Sequence, residues 1–201
     1  MDQGDFETGR AMNFSSDIDI DFPDRDQVLK LFKHVPASQF RDGELGKHAS
    51  GVYFTDIPVD SITGFAGIEY HEAERRGYLK LDFLNVTVYK QVRDEAHLLE
   101  LMTKEPEWNR LNDRAFVEQL MHIGSHFDSL HRFPEPVNSI PRLAMFLAAI
   151  RPAKRHLIGL PWAEVARTIW DKPTDDTYYF KKAHSISYAT LVVVHMNLLS
   201  E

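Results

Sequence analysis

Three aspartates spaced two apart, Asp17, Asp19 and Asp21, stand in the segment SSDIDIDFPDR with Ile18, Ile20 and Phe22 alternating against them. Strict alternation predicts a β-strand, in which residues two apart share a face at a spacing of about 6.5–7 Å. One face then suits a core, and the other projects carboxylates toward a shared cation. Hard divalent ions such as magnesium take oxygen ligands, commonly one or two carboxylates together with substrate phosphates. Two such ions about 4 Å apart clamp an in-line phosphoryl displacement. Repeated carboxylates are disfavoured in strands and repel one another. The plain alternative is an edge strand with a solvated acidic face.

A second strand is predicted within GYLKLDFLNVTV, Gly77 to Val88, with Lys80, Asp82 and Leu84 on one face and Leu79, Leu81 and Phe83 on the other. An aspartate in an apolar strand is costly to bury unless it is paired or coordinates a metal. That makes Asp82 the natural third carboxylate for Asp19 and Asp21. If the three converge, a divalent ion raises thermal stability by binding the native state, and Asp82→Asn relieves repulsion.

In GKHASGVYFTDIP, Gly46 and Gly51 bracket Lys47, His48 and Ser50. Glycine lets a backbone approach a ligand closely, and Lys47 can meet a phosphate as a point charge. The default reading is a turn into a strand at Val52-Tyr53-Phe54. Residues 89–131 read as helical, which puts His122 and His126 one turn apart with His131 close behind and raises a zinc site. No acid of the HExxH kind and no fourth ligand lie nearby. Arg151, Lys154, Arg155 and His156 form the densest basic cluster, at the end of an apolar helix over Ile140–Ile150. They read either as cations favouring a helix C-terminus or as a phosphate grip. The segment YYFKKAHSISYA adds Lys181, Lys182 and His184 among aromatics, a mixture that can stack on and neutralise a nucleotide or simply pack.

The elements that must position these residues follow in order. Residues 1–14 form a polar lead-in, and 15–201 are read as a single domain. Pro23 and Asp24 suit the opening of a helix that carries Val28, Leu29, Leu31 and Phe32 and ends before Pro36. Its QVLKLF run loosely resembles a sliding-clamp-binding peptide, although helix burial explains it equally. The last helix runs through Leu199. Periodicity alone yields mixed α and β.

The 201 residues suffice for a real core. No apolar run approaches the roughly 20 residues needed to span a bilayer, so no membrane partner is expected. The chain has no cysteine, which excludes disulfides and thiolate metal sites and fits a cytoplasmic location. Its net charge of −7 argues against strong unaided DNA binding.

Five blocks, DIDIDFPDRDQV, GKHASGV, GYLKLDFLNV, the helix ending AAIRP and FKKAHSISYAT, stand in the same order as blocks in the palm of the bacterial C-family replicative DNA polymerases. The chain resembles a reduced palm of that family, the alpha subunit of DNA polymerase III. The resemblance implies an α+β fold, a polymerase-beta-like nucleotidyltransferase palm with a mixed sheet covered by helices. It implies that Asp19, Asp21 and Asp82 bind two Mg2+ ions, or Mn2+, and carry catalysis. Lys47, His48 and Lys80 fall in matching blocks as nucleotide contacts. Arg151 matches an arginine near the incoming phosphates, Lys182 a basic residue, and His184 a histidine lining the sugar pocket. Asp17 matches too, in a structural role.

The departures are equally specific. Only about 20 residues separate the first block from GKHASGV, which leaves no room for the family's thumb. The glycine-serine turn for the triphosphate, most of the fingers and the N-terminal phosphoesterase-like domain are not matched. Two functions are therefore expected. One is metal-dependent nucleotidyl transfer on DNA and deoxynucleoside triphosphate, with a protein partner in a replication complex supplying grip. The other is a non-catalytic adaptor, derived from a palm, that binds replication proteins.

Overall fold

The computed structural model describes residues 18–175 and 177–201, so Asp17 and the 1–14 lead-in lie outside the described residues. The chain divides into two compact units, Met1–Lys90 and Gln91–Glu201.

The first unit is built on one mixed sheet of four strands: β1 (Asp19–Phe22), β2 (Val35–Arg41), β3 (Glu44–Tyr53) and β4 (Leu81–Asn85), in the order β1-β4-β3-β2. β1 is an edge strand and pairs parallel with β4; β3 runs antiparallel to both β4 and β2. As the alternation predicts, Ile20 and Phe22 turn inward, where they pack with Leu81 around Leu29, Val52 and Phe83. Helix α1 (Arg25–Leu29) supplies Leu29, and Asp24 caps it by accepting from the Gln27 N–H. Ala37, Tyr53, Ile57, Ala66 and Ala73 form a second small core, to which helix α2 (Tyr70–Arg75) contributes Ala73.

The β2–β3 hairpin turns at Asp42-Gly43, both at positive φ (51° and 85°), the geometry that makes Asp-Gly the preferred pair in two-residue hairpins. β3 is longer than Val52-Tyr53-Phe54, and Gly46 and Gly51 lie inside it. Between the pairs Pro36↔Val52 and Ser38↔Lys47 the register advances two residues on β2 but five on β3. The segment His48-Ala49-Ser50 is therefore a wide bulge in a strand.

The second unit is helical: α3 (Glu95–Thr103), α4 (Arg114–Val117), α5 (Phe127–Leu130), α6 (Ile140–Ala149), α7 (Trp162–Thr168) and α8 (Lys182–Leu198), with short 3-10 turns between them. Ser139 caps α6, and Pro141 occupies its first turn, where a missing N–H costs nothing. α8 is apolar on every side from Leu191 to Val194, the signature of a buried helix. Val192, Val193 and Met196 meet Leu143, Phe146 and Leu147 of α6 in the core. The Asn197 amide donates to the carbonyls of Leu101 and Lys104 (2.9 Å each), closing the C-terminal end of α3.

Residues 89–131 are not continuously helical. His122 sits at positive φ (63°), and a 3-10 turn over Gly124–His126 follows. His122 and His126 thus do not share a helical face. Among the described residues no helix is long and apolar enough to cross a membrane.

Candidate metal centre

The parallel register of β1 and β4 sets Asp19 opposite Asp82 and Asp21 opposite Leu84. Partners in a parallel ladder share a face, as do residues two apart, so Asp19, Asp21 and Asp82 project from one side of the sheet. Gly51 is the antiparallel partner of Asp82 on its other flank. Asp19 and Asp21 are exposed, whereas Asp82 is buried.

Asp82 is answered by protein groups. Ser50 Oγ donates to its Oδ1 (2.6 Å), and the Lys80 ammonium pairs with its Oδ2. Lys80 Nζ also lies 5.5 Å from the centre of the Tyr70 ring. The bulge explains these contacts. By crowding three extra residues between Lys47 and Gly51, it turns Ser50 toward β4 and folds His48 back on its own backbone. His48 Nδ1 accepts from the N–H groups of Ser50 (3.3 Å) and Gly51 (2.9 Å), which leaves the ring proton on Nε2. Burial first, and then the Lys80 charge, holds His48 below the ordinary imidazole pKa. Gly51 is required at this point: a Cβ there would lie 2.8 Å from Lys80 Cδ and 3.0 Å from both Ala37 Cβ and His48 Nδ1.

Arg25 locks the arrangement. Its backbone N–H donates to Asn85 Oδ1 (2.8 Å), and its buried guanidinium donates to the Ala49 carbonyl (2.6 Å). One residue thereby ties α1, the end of β4 and the bulge together. Ser50, Arg25 and Asn85 lie inside the quoted sequence blocks, but only contact geometry reveals their roles.

Partial desolvation and then the Asp19 carboxylate raise the pKa of Asp21, whose side chain stays exposed, while Asp82 has Ser50 and Lys80 as partners. Asp82→Asn would also take the charge partner from Lys80. As a donor set, three carboxylates in oxygen-only chemistry suit Mg2+ or Mn2+. Among the described residues no three His, Asp or Glu side chains are gathered closely enough to enclose an ion as they stand. The fit is therefore one of donor type and shared face.

Of the remaining predicted residues, Lys47 is exposed on β3, while Arg151, Lys182 and His184 belong to the second unit. There Arg151 lays its guanidinium 3.9 Å over the Phe180 ring, and its buried Nε has no hydrogen-bond partner. Burial lowers its pKa, against the opposing effect of Tyr178 and Tyr188. His122 stands edge-on to Tyr188 (4.4 Å), also with an unpartnered buried Nε2. Burial and then Arg151 hold both His122 and His126 below the usual imidazole pKa. Lys182 opens α8, which has no side-chain cap and no acid in its first turn.

Two further members of the basic cluster serve the fold. Lys154 is buried and donates to the Thr168 carbonyl at the end of α7 (2.6 Å), and Arg155 Nε donates to the Ile150 carbonyl beyond α6 (3.3 Å). Compared with known proteins, the chain matches no family model, no curated protein and no solved structure.

Proposed function

We propose that the first unit carries a metal-dependent nucleotidyl-transfer centre of the kind found in C-family replicative DNA polymerase palms. The observation that carries this reading is the parallel register that sets Asp19 against Asp82, with Asp21 next on the same face. Asp19, Asp21 and Asp82 would hold Mg2+ or Mn2+. Bound there, the ions would activate a primer 3′-hydroxyl and stabilise the departing pyrophosphate. Lys80 pairs with one oxygen of Asp82, and Ser50 donates to the other and orients it. His48, with its proton fixed on Nε2, and Lys47 are donors toward phosphate oxygens.

In the second unit, Arg151 and Lys182 are assigned to nucleotide phosphate and His184 to the sugar. The sequence blocks support this assignment, as does the acid-free start of α8. The net charge of −7 leaves DNA grip to a protein partner in a replication complex. The adaptor reading has its own support in Leu31 and Phe32 of the QVLKLF run, which are 77% and 54% exposed.

The test is primer extension with Mg2+ or Mn2+ by the parent chain and by an Asp19→Asn/Asp21→Asn double variant, alongside thermal melts with each ion. Incorporation that falls by about a thousandfold or more in the double variant is the expected result, since most phosphoryl-transfer catalysis is electrostatic positioning. A parent that neither incorporates nucleotide nor gains thermal stability from either ion would refute the centre and leave the adaptor.

A further inference from the structure

The sequence blocks place Lys80 among the nucleotide contacts, yet its ammonium is engaged with Asp82 Oδ2. Ser50 Oγ holds the other oxygen (2.6 Å), so both oxygens of this buried acid are met within the fold. Among the described residues, the other basic side chain beside the carboxylate is His48, with Nδ1 3.7 Å from Oδ1. That nitrogen accepts from the Ser50 and Gly51 N–H groups and has no proton to offer. Lys80 is therefore the cation that answers Asp82.

A hydroxyl and a metal ion can share a carboxylate, which has about four lone-pair positions. An ammonium and a divalent cation on one oxygen repel each other, and the doubly charged ion, which takes oxygen ligands, has the stronger claim. The fold gives the displaced ammonium a place to go. The lysine stem runs over Gly51, where a Cβ would lie 2.8 Å from Lys80 Cδ. Rotation beyond Cδ turns the ammonium from the acid toward the Tyr70 ring, whose centre lies 5.5 Å from Nζ. That is within the roughly 6 Å over which a ring face attracts a cation.

We propose that Lys80 is a tethered counter-ion that holds Asp82 until a divalent ion arrives and then yields the oxygen to it. The released ammonium becomes a point charge for a phosphate oxygen, so the ion must precede the nucleotide. The proposal rests on the reading of Asp19, Asp21 and Asp82 as a metal centre. Its first test is acylation of the whole chain by limiting acetic anhydride, read by peptide mass spectrometry with and without saturating Mn2+. Lys33, with a 92% exposed side chain, is the internal standard. Lys80 acylation should rise severalfold with Mn2+ in the parent and stay level in Asp19→Asn/Asp21→Asn. Calorimetric Mn2+ titration gives the second readout. Lys80→Met should bind about tenfold or more tighter than the parent. Lys47→Met, which removes the same charge from an exposed position on β3, should shift binding by about twofold at most. Thermal melts report whether each variant folds, and acylation of the parent depends on no variant. The proposal is overturned, with the metal centre intact, if the parent takes up Mn2+ while Lys80 acylation stays level. A folded Lys80→Met that binds the ion no tighter than Lys47→Met overturns it equally. If neither the parent nor Lys80→Met takes up Mn2+, the centre and the proposal fall together.

Discussion

Asp82 and Arg151 are charged groups taken partly or wholly out of water, one in each unit, and their surroundings treat them differently. Asp82 receives a hydroxyl on one oxygen and an ammonium on the other. Arg151 lies over the face of Phe180, and among the described residues its Nε has no hydrogen-bond partner. The acid is thus locally neutralised, as burial of a charge requires. Burial lowers the Arg151 pKa, against the opposing effect of Tyr178 and Tyr188.

The sharpest way to break this contrast is Lys80→Met. The methionine fills the space of the lysine stem but leaves a buried carboxylate with only Ser50, which should cost about 3–5 kcal/mol in denaturant unfolding. If Asp82 accepts a divalent ion, millimolar Mg2+ should recover part of that loss in the variant. A loss below about 1 kcal/mol would show that the pair is not holding the acid.

Arg151→Met should do the opposite. It keeps the packing on Phe180 and removes an unanswered charge, so stability should stay level or rise by about 1 kcal/mol. A marked loss in the same melt would mean that Arg151 is compensated after all.

Asp21→Asn is the smallest change. The native pKa of Asp21 is raised, so the folded chain binds its proton more readily than the unfolded chain does. The ionised form therefore penalises the fold at neutral pH, and the penalty fades as pH falls through the native pKa toward the unfolded value near 3.8. Thermal melts should show the variant slightly more stable than the parent at pH 7, with the two curves converging in acid. A gain that persists unchanged at low pH would exclude charge repulsion as its source.

The acid face was legible in the sequence because a period of two fixes sidedness without tertiary information: Asp19 and Asp21 against Ile20 and Phe22, and Asp82 against Leu81 and Phe83. The bulge was not. Glycines at 46 and 51 look alike whether they flank a turn or a bulge, and only the register against β2 separates the two cases. Asp42-Gly43 is a readable hairpin signal. The apolar spacing through residues 89–131 suggested continuous helix, but local pattern cannot see the backbone reversal at His122. Nor could it tell which cations face solvent. Lys154 looked like part of a phosphate grip and proves to close α7 from within, a role set by contacts distant in the chain.

The edge position of β1 has a consequence for how the centre is assembled. β2 and β3 are joined by a two-residue turn, so their pairing closes almost no loop. The ladder between β1 and β4 joins positions about sixty residues apart and carries a far larger entropic cost of closure. The hairpin is therefore expected to form early, with β4 added to it and β1 laid down last. During most of folding Asp82 then meets Lys80 and Ser50 without Asp19 or Asp21 nearby. The carboxylates of Asp19 and Asp21 join its face of the sheet only once the rest of the sheet exists.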